Sequence, residues 1–309
     1  MEELNFIPLN ERPRPTVIAA TGLMLLAFVG LIVSGVFAML MNPGSVNRQW
    51  LMVDLLYYLP FVLLPVALYC LRRRGLFDAL RLNPMPVFST VTVALAALLS
   101  VYAASALDSL WGMLLDALGL SEAEVSIDVA TSGALTLAIL HSAALPAVCE
   151  ELLFRGVVFS ALESRGTRRA AVLSALFFAL MHGNLYGLPA YFMVGLISAF
   201  LVFALDSLYA GIVYHTVYNA AILVIVHTAA GMEDVAMPEG GALLMTVLTD
   251  VVVIGIVLTA LLVTLNLRRK AAGVEAIPRS DQSFARRERA LMAALFLLLA
   301  GATVAEQLL

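Results

Sequence analysis

Long runs without a charged residue set the pattern of this chain. Pro15–Asn47, Leu55–Leu71, Val87–Leu107, Val129–Cys149, Ala170–Leu205 and Leu208–Met232 contain no Asp, Glu, Lys or Arg. Crossing a hydrocarbon core about 30 Å thick takes roughly 20 apolar residues in a helix. There the helix also satisfies its own backbone, which water cannot do. The runs predict spans over 16–41, 50–71, 87–107, 131–162, 170–187, 189–205, 207–229, 243–267 and 290–308. Ala170–Leu205 is long enough for two crossings, with turn signals at Gly183, Asn184, Gly187 and Pro189 between them. The last span is short, and an interfacial helix is its alternative. Asp108–Ala130 reads as an amphipathic surface segment. The expected fold is all-α, a polytopic membrane helix bundle of about eight or nine transmembrane helices.

Composition agrees with the pattern. Of 309 residues, 62% are hydrophobic and 13% charged, with a mean hydropathy of +0.97. A soluble domain of this length has too much surface for so few charges, and nothing points to a nucleic-acid partner. The expected partner is the lipid bilayer. Met1–Arg14 carries acids, Pro and Asn and no evident cleavage site, so the first helix is expected to stay as an anchor. Cys70 and Cys149 lie in or at the edge of apolar spans and suggest no disulfide framework. No internal repeat is visible.

Charge is segregated by loop, which fixes an expected topology. With the N-terminus cytoplasmic, the inner segments hold Arg12 and Arg14; Arg72, Arg73, Arg74 and Arg81; Arg165, Arg168 and Arg169; and Arg268, Arg269, Lys270, Arg279, Arg286, Arg287 and Arg289. That is 16 of the 18 basic residues, as the positive-inside rule requires. The outer loops carry acids instead: Asp108, Asp116, Glu122, Glu124, Asp128, Glu233, Asp234 and Glu239.

Charges inside a span are costly and point to function. The fourth span holds Glu150, Glu151 and Arg155. Glu151 and Arg155 stand four apart on one helix face, the spacing of a neutralising ion pair. Glu150 points about 100° away around the helix. Pro146 removes a helical hydrogen bond and crowds the Ser142 carbonyl, so a bend before the acids is expected. Other spans supply His182, and His215 with Asn219 one turn later. At 1.5 Å per residue, Glu150, His182 and Asn219 each lie about 20 Å from the inner end of their span, and His215 about 14 Å. Three helices thus bring polar groups to similar depth. His141, about 180° from Glu150 around the helix, reads as structural. Phe178 reads as packing, His227 as interfacial, and Cys149 as a buried small residue. Asp54 and Asp250, near outer ends of spans, are assigned no role.

The series Glu150-Glu151-x-x-x-Arg155, Phe178-x-x-x-His182 and His215-x-x-x-Asn219 resembles the type II CAAX prenyl endopeptidase and bacteriocin-processing family (CPBP, or Abi). The resemblance covers roughly Thr131 to His227. It implies a bundle of membrane helices around a polar cavity and an intramembrane peptidase, whose eukaryotic members trim prenylated CAAX proteins. By the same motifs, Glu150 and His182 would activate water, His215 and Asn219 would stabilise the oxyanion, and Glu151 and Arg155 would support them. Together with the spans and loop charges, it suggests a cytoplasmic tail (1–15), N-terminal helices with an outer loop (16–130), a catalytic core (131–229) and C-terminal helices with a basic loop (230–309). No cofactor is expected, with zinc as the alternative: Glu150, His182 and His215 could supply three ligands although no H-E-x-x-H occurs.

The chemistry is consistent with that implication. Peptide hydrolysis needs a base for water, a proton for the leaving amine and donors facing the oxyanion. Two other classes use the same residue types. A proton-coupled transporter carries intramembrane Glu and His, usually with repeated halves that are not seen here. A non-catalytic immunity or scaffold protein of the family is the other. No glycine-flanked serine of the rhomboid kind is evident. The substrate is not written in the sequence: a prenylated tail, a peptide pheromone, a bacteriocin leader and a membrane protein all stay open. Compact loops without targeting signals favour a bacterial plasma membrane.

The topology is open to direct measurement. Cysteines replacing Arg73 and Arg168 should resist an impermeant thiol reagent in intact cells, whereas one replacing Gly231 should be labelled. Labelling of the Arg168 position from outside would reverse the orientation.

Overall fold

The computed structural model describes residues 14–40, 46–72, 80–122, 127–229, 240–271, 273 and 284–308. Arg12, Arg73, Arg74, Glu124, Gly231, Glu233, Asp234, Glu239 and Arg279 lie outside them. Among the described residues there are helices and no strand: α1 (Val17–Leu40), α2 (Val46–Arg72), α3 (Val87–Ala117), α4 (Ser132–Glu163), α5 (Thr167–Met181), α6 (Leu188–Leu205), α7 (Leu208–Ala229), α8 (Gly240–Ala271) and α9 (Arg286–Leu308). Eight of these are long and apolar enough to cross a membrane. The chain is an all-α, multi-pass membrane protein.

The exception is α5. Its 15 residues reach about 22 Å, short of a hydrocarbon core. The expected span 170–187 is therefore corrected to a helix that stops at Met181. Gly183 supplies the stop: at φ 69° it takes the left-handed conformation that ends helices and that residues with a Cβ resist. A second correction concerns α3. It runs ten residues past the expected 107, so Asp108–Ala117 is helix, and Trp111 and Asp116 hold the loop after α5. Trp111 Nε1 donates to the Leu185 carbonyl at 2.9 Å and the Tyr186 hydroxyl to Asp116 Oδ1 at 2.8 Å.

The main buried cluster draws on most helices, and a smaller one of Val129, Ala138, Ala143 and Leu223 lies between α4 and α7. Helix α6 lies against α5, α3 and α7, while α4 packs along α7. Helix α1 covers α2 and α4, and α9 lies on α1 and α5. Small residues allow close approach, for example fully buried Ala96, Ala97, Ala175, Ala199 and Ala210. Outward faces of α1, α2, α3, α7 and α8 are exposed Leu, Val, Ile, Met and Phe, the surface that lipid covers.

The segments expected on opposite sides of the membrane gather at opposite ends of the bundle. At one end Arg81 Nη2 meets Glu163 Oε2 at 2.6 Å, Arg81 Nε meets Asp206 Oδ1 at 3.2 Å, and Arg14 reaches Glu163 at 3.4 Å. The Arg81 carbonyl accepts from Leu208 N at 2.7 Å, closing the start of α7. At the other end, Asn47 binds the Asp128 and Ala134 carbonyls and His227 binds the Val129 carbonyl. The assignment of the first end to the cytoplasm rests on the basic residues.

Arg81 is 3% exposed and holds two acids at once. Replacing it by Met should lower stability by about 3–5 kcal/mol, because buried acids lose their partner. Thermal unfolding in detergent measures this, with Arg168→Met expected to leave the midpoint unchanged.

Candidate active site

Helix α4 builds the centre of the site and is not a uniform α-helix. It turns π-helical over Leu140–Ala144, returns to α over Leu145–Glu151 and is π again over Leu152–Phe159. The disturbance expected at Pro146 thus takes the form of a π segment just before it. Pro146 has no N–H to give the Ser142 carbonyl four residues back. The Asn219 side chain donates to that carbonyl instead, Nδ2 to O at 3.1 Å.

Glu151 and Arg155 form the ion pair that their spacing predicts, Oε1 to Nη1 at 3.1 Å, both fully buried. Neighbours add to it. The Ser198 hydroxyl donates to Glu151 Oε2 at 2.7 Å, and Arg155 Nη2 donates to the Gly195 carbonyl at 2.9 Å. The Arg155 guanidinium also lies 4.5 Å from the centre of the Phe178 ring, a favourable cation–π placement. Gly211 leaves the space that the Glu151 carboxylate fills: a Cβ there would come within 2.3 Å of Oε2.

His215 touches both acids. Its Nδ1 is 3.2 Å from Glu151 Oε1 and its Nε2 is 4.0 Å from Glu150 Oε2. An ion-paired carboxylate only accepts, so the hydrogen sits on Nδ1. His182 is oriented in the same sense. It caps α5, its Nδ1 donating to the Phe178 carbonyl at 2.8 Å, one of the carbonyls left over at a helix end. Its Nε2 then faces Glu150 Oε2, also at 4.0 Å. Tyr191 stacks on the His182 ring, 4.0 Å between centres and 17° between planes. Phe178 meets both imidazoles edge-on, at 4.7 and 5.6 Å.

Of the residues picked from the sequence, Glu150, His182 and His215 converge on one point, with Glu151 and Arg155 behind them. Asn219 lies one turn along α7 from His215, one amide hydrogen engaged with Ser142 and one free of that bond. Glu150 points away from the ion pair, as its helical position requires. Asp54, given no role from the sequence, turns inward, its Oδ2 3.4 Å from Nδ1 of His141. Phe178 packs, as expected, and it does so against the charged and imidazole groups of the site.

Sequence reading missed Tyr58, Ser198 and Gly211. Tyr58 Oη donates to Glu150 Oε1 at 2.6 Å. Each is an uncharged residue within an apolar run, where no motif or charge marks it.

Fold and site together describe a multi-pass bundle with ionisable groups collected around one buried centre. Residues 132–221 match the family model described as Type II CAAX prenyl endopeptidase Rce1-like. That segment runs from α4 into α7 and includes Glu150, Glu151, Arg155, His182, His215 and Asn219. The match bears out the resemblance carried by the motifs and supports, in general terms, a CAAX-type intramembrane protease. Neither curated proteins nor solved structures give a match.

The ion pair should behave as a structural unit. Arg155→Ala leaves Glu151 buried with too few partners and should lower stability by about 3–5 kcal/mol. Gly211→Ala forces its methyl into the same carboxylate and should cost about 1–3 kcal/mol. Thermal unfolding of purified variants is the measurement, and an unchanged midpoint for Arg155→Ala would contradict the pairing.

Proposed function

We propose that the protein is an intramembrane endopeptidase that hydrolyses a peptide bond with Glu150 as general base. The carrying observation is Glu150 Oε2, buried, without a hydrogen bond among the described residues, and 4.0 Å from Nε2 of both His182 and His215. Two hydrogen bonds of about 2.8 Å meeting near a right angle span that distance. Glu150 Oε2 and His182 Nε2 are therefore spaced to hold one substrate water, with His215 Nε2 beside it on the other side of Oε2.

The proposed sequence uses each group once its hydrogen is accounted for. The water donates to Glu150 Oε2 and is oriented by the Nε2 lone pair of His182. As its oxygen bonds to the carbonyl carbon, its proton passes to Glu150. The carbonyl oxygen becomes an oxyanion, facing the free amide hydrogen of Asn219 and His215. His215 donates from Nε2 only as the imidazolium, because Nδ1 already carries a hydrogen toward Glu151, and the Glu151 carboxylate stabilises that cation. Glu150 then returns the proton to the nitrogen as the carbon–nitrogen bond breaks, giving an acid and an amine.

Zinc held by Glu150, His182 and His215 is the second reading, favoured by two Nε2 atoms facing one carboxylate with each Nδ1 hydrogen-bonded elsewhere. Bonds of about 2.0–2.1 Å in a tetrahedron put neighbouring ligand atoms about 3.4 Å apart. The 4.0 Å separations here are wider.

The proposed substrate is a peptide or membrane protein, lipidated or not, and the proposed location a bacterial plasma membrane. The resemblance supports the first and the compact loops the second. Peptides from membranes and medium of cells carrying the wild type or Glu150→Gln identify what is cut. Glu150→Gln should abolish the products while the protein stays folded and inserted; full activity would defeat the glutamate base. Asn219→Ala should lower kcat about 100- to 1000-fold at nearly constant KM, as loss of an oxyanion donor does. Activity should survive exhaustive chelation. Inactivation that added zinc reverses, with stoichiometric metal by elemental analysis, would replace the oxyanion role of His215 with that of a ligand.

A further inference from the structure

We infer that Tyr58 of α2, outside the matched segment 132–221, is a positioning residue for Glu150, so that the site is completed by a helix that no motif assigns to it. The inference rests on the reading of Glu150 as the base.

The contact is specific. The Tyr58 ring is 5% exposed, and its hydroxyl lies 2.6 Å from Glu150 Oε1, the separation of a hydrogen bond from a hydroxyl to a carboxylate. A phenol has one hydrogen, and this one is spent on Glu150. Tyr58 is thereby unavailable as an oxyanion donor, and its influence on the reaction passes through the carboxylate.

The hydrogen bond decides which oxygen works. Two single bonds beyond Cβ let a glutamate carboxylate swing and roll, exchanging its oxygens. With Oε1 held by Tyr58, Oε2 is the atom that faces both imidazoles. Without the hydroxyl, Oε1 has no other hydrogen-bond donor among the described residues to keep it there, and the carboxylate can turn from the imidazoles. Misplacing a reacting group by about 1 Å can lower a rate about 100-fold.

Local structure explains how α2 delivers the hydroxyl. Tyr58 is the last α-helical residue before a π segment, Leu59–Leu63, that contains Pro60. Proline denies the helix a donor, and the wider π turn takes up the change. Tyr57 lies against the Tyr58 ring, centres 4.6 Å apart, which limits its rotation. Leu59 and Leu64 beyond the switch are exposed to the lipid side, whereas Tyr58 stays turned into the bundle.

The test uses the full-length protein and the Glu150-dependent products defined above. Tyr58→Phe removes one oxygen and should lower kcat about 10- to 100-fold, with KM within about twofold and the thermal midpoint within a few degrees. Tyr69→Phe, a hydroxyl lost from the far end of the same helix where it accepts from Thr16 N, should retain full activity. In a Glu150→Asp background, whose shorter side chain withdraws the carboxylate from Tyr58, Tyr58→Phe should add no further loss. Wild-type kcat in Tyr58→Phe overturns the inference, as does a change confined to KM. A fall in midpoint that tracks the fall in activity overturns it too, since Tyr58 would then only tie α2 to α4. A fully additive loss in the Glu150→Asp background does the same. If Glu150→Gln retains products, the base reading itself fails and this inference with it. If Glu150→Gln is inactive and Tyr58→Phe is not impaired, only the inference fails.

Discussion

The buried charge of Arg155 is the constraint around which the bundle is arranged. A guanidinium with no exposed surface has lost all its hydration, a cost of several kcal/mol that nearby groups must offset. Glu151 supplies the counter-charge, the Gly195 carbonyl takes a hydrogen bond and the Phe178 ring covers one face. Those three partners stand on α4, α6 and α5. Ser198 and His215 then satisfy the oxygens of Glu151, bringing α6 and α7 to the same point. Compensating one cation thus fixes the relative positions of four helices.

Placement of the reactive groups follows from this arrangement. His215 is held by Glu151 and His182 by the end of its own helix, so both present Nε2 to Glu150. The short α5 matters here. A helix continuing to 187 would have buried His182 mid-helix, its Phe178 carbonyl bonded to the backbone N–H of residue 182. Because Gly183 ends the helix, the imidazole takes over that carbonyl and its tautomer is fixed. The extended α3 then ties down the loop through Trp111 and Asp116. A broken helix inside a bundle is tolerable because protein, not lipid, surrounds it.

The two π segments of α4 serve the same end. π turns are rare and concentrate at functional sites. In α4 they flank the stretch that carries Glu150 and Glu151, and the one before it meets Pro146, where Asn219 replaces the missing backbone donor to Ser142. Helix α2 has its own proline-associated π segment beside Tyr58. Irregularity in both helices sits where polar side chains enter the centre.

By itself the sequence determined the membrane class, the all-helical fold and the segregation of loops, since charge-free runs of sufficient length have one stable form in a bilayer. It also marked Glu150, Glu151, Arg155, His182, His215 and Asn219, because ionisable and amide groups are conspicuous against an apolar background, and it paired Glu151 with Arg155, because helical spacing is a local rule. Tertiary structure alone decided the rest. That His215 bridges the two acids, that Tyr58, Ser198 and Gly211 complete the site, and that Asp54 meets His141 all depend on how separate helices face one another. No periodicity within a helix encodes that. The end of α5 lay between the two: Gly183 and Pro189 signalled a turn in the sequence, but that Gly183 takes the left-handed conformation that stops the helix at Met181 is seen only in the fold.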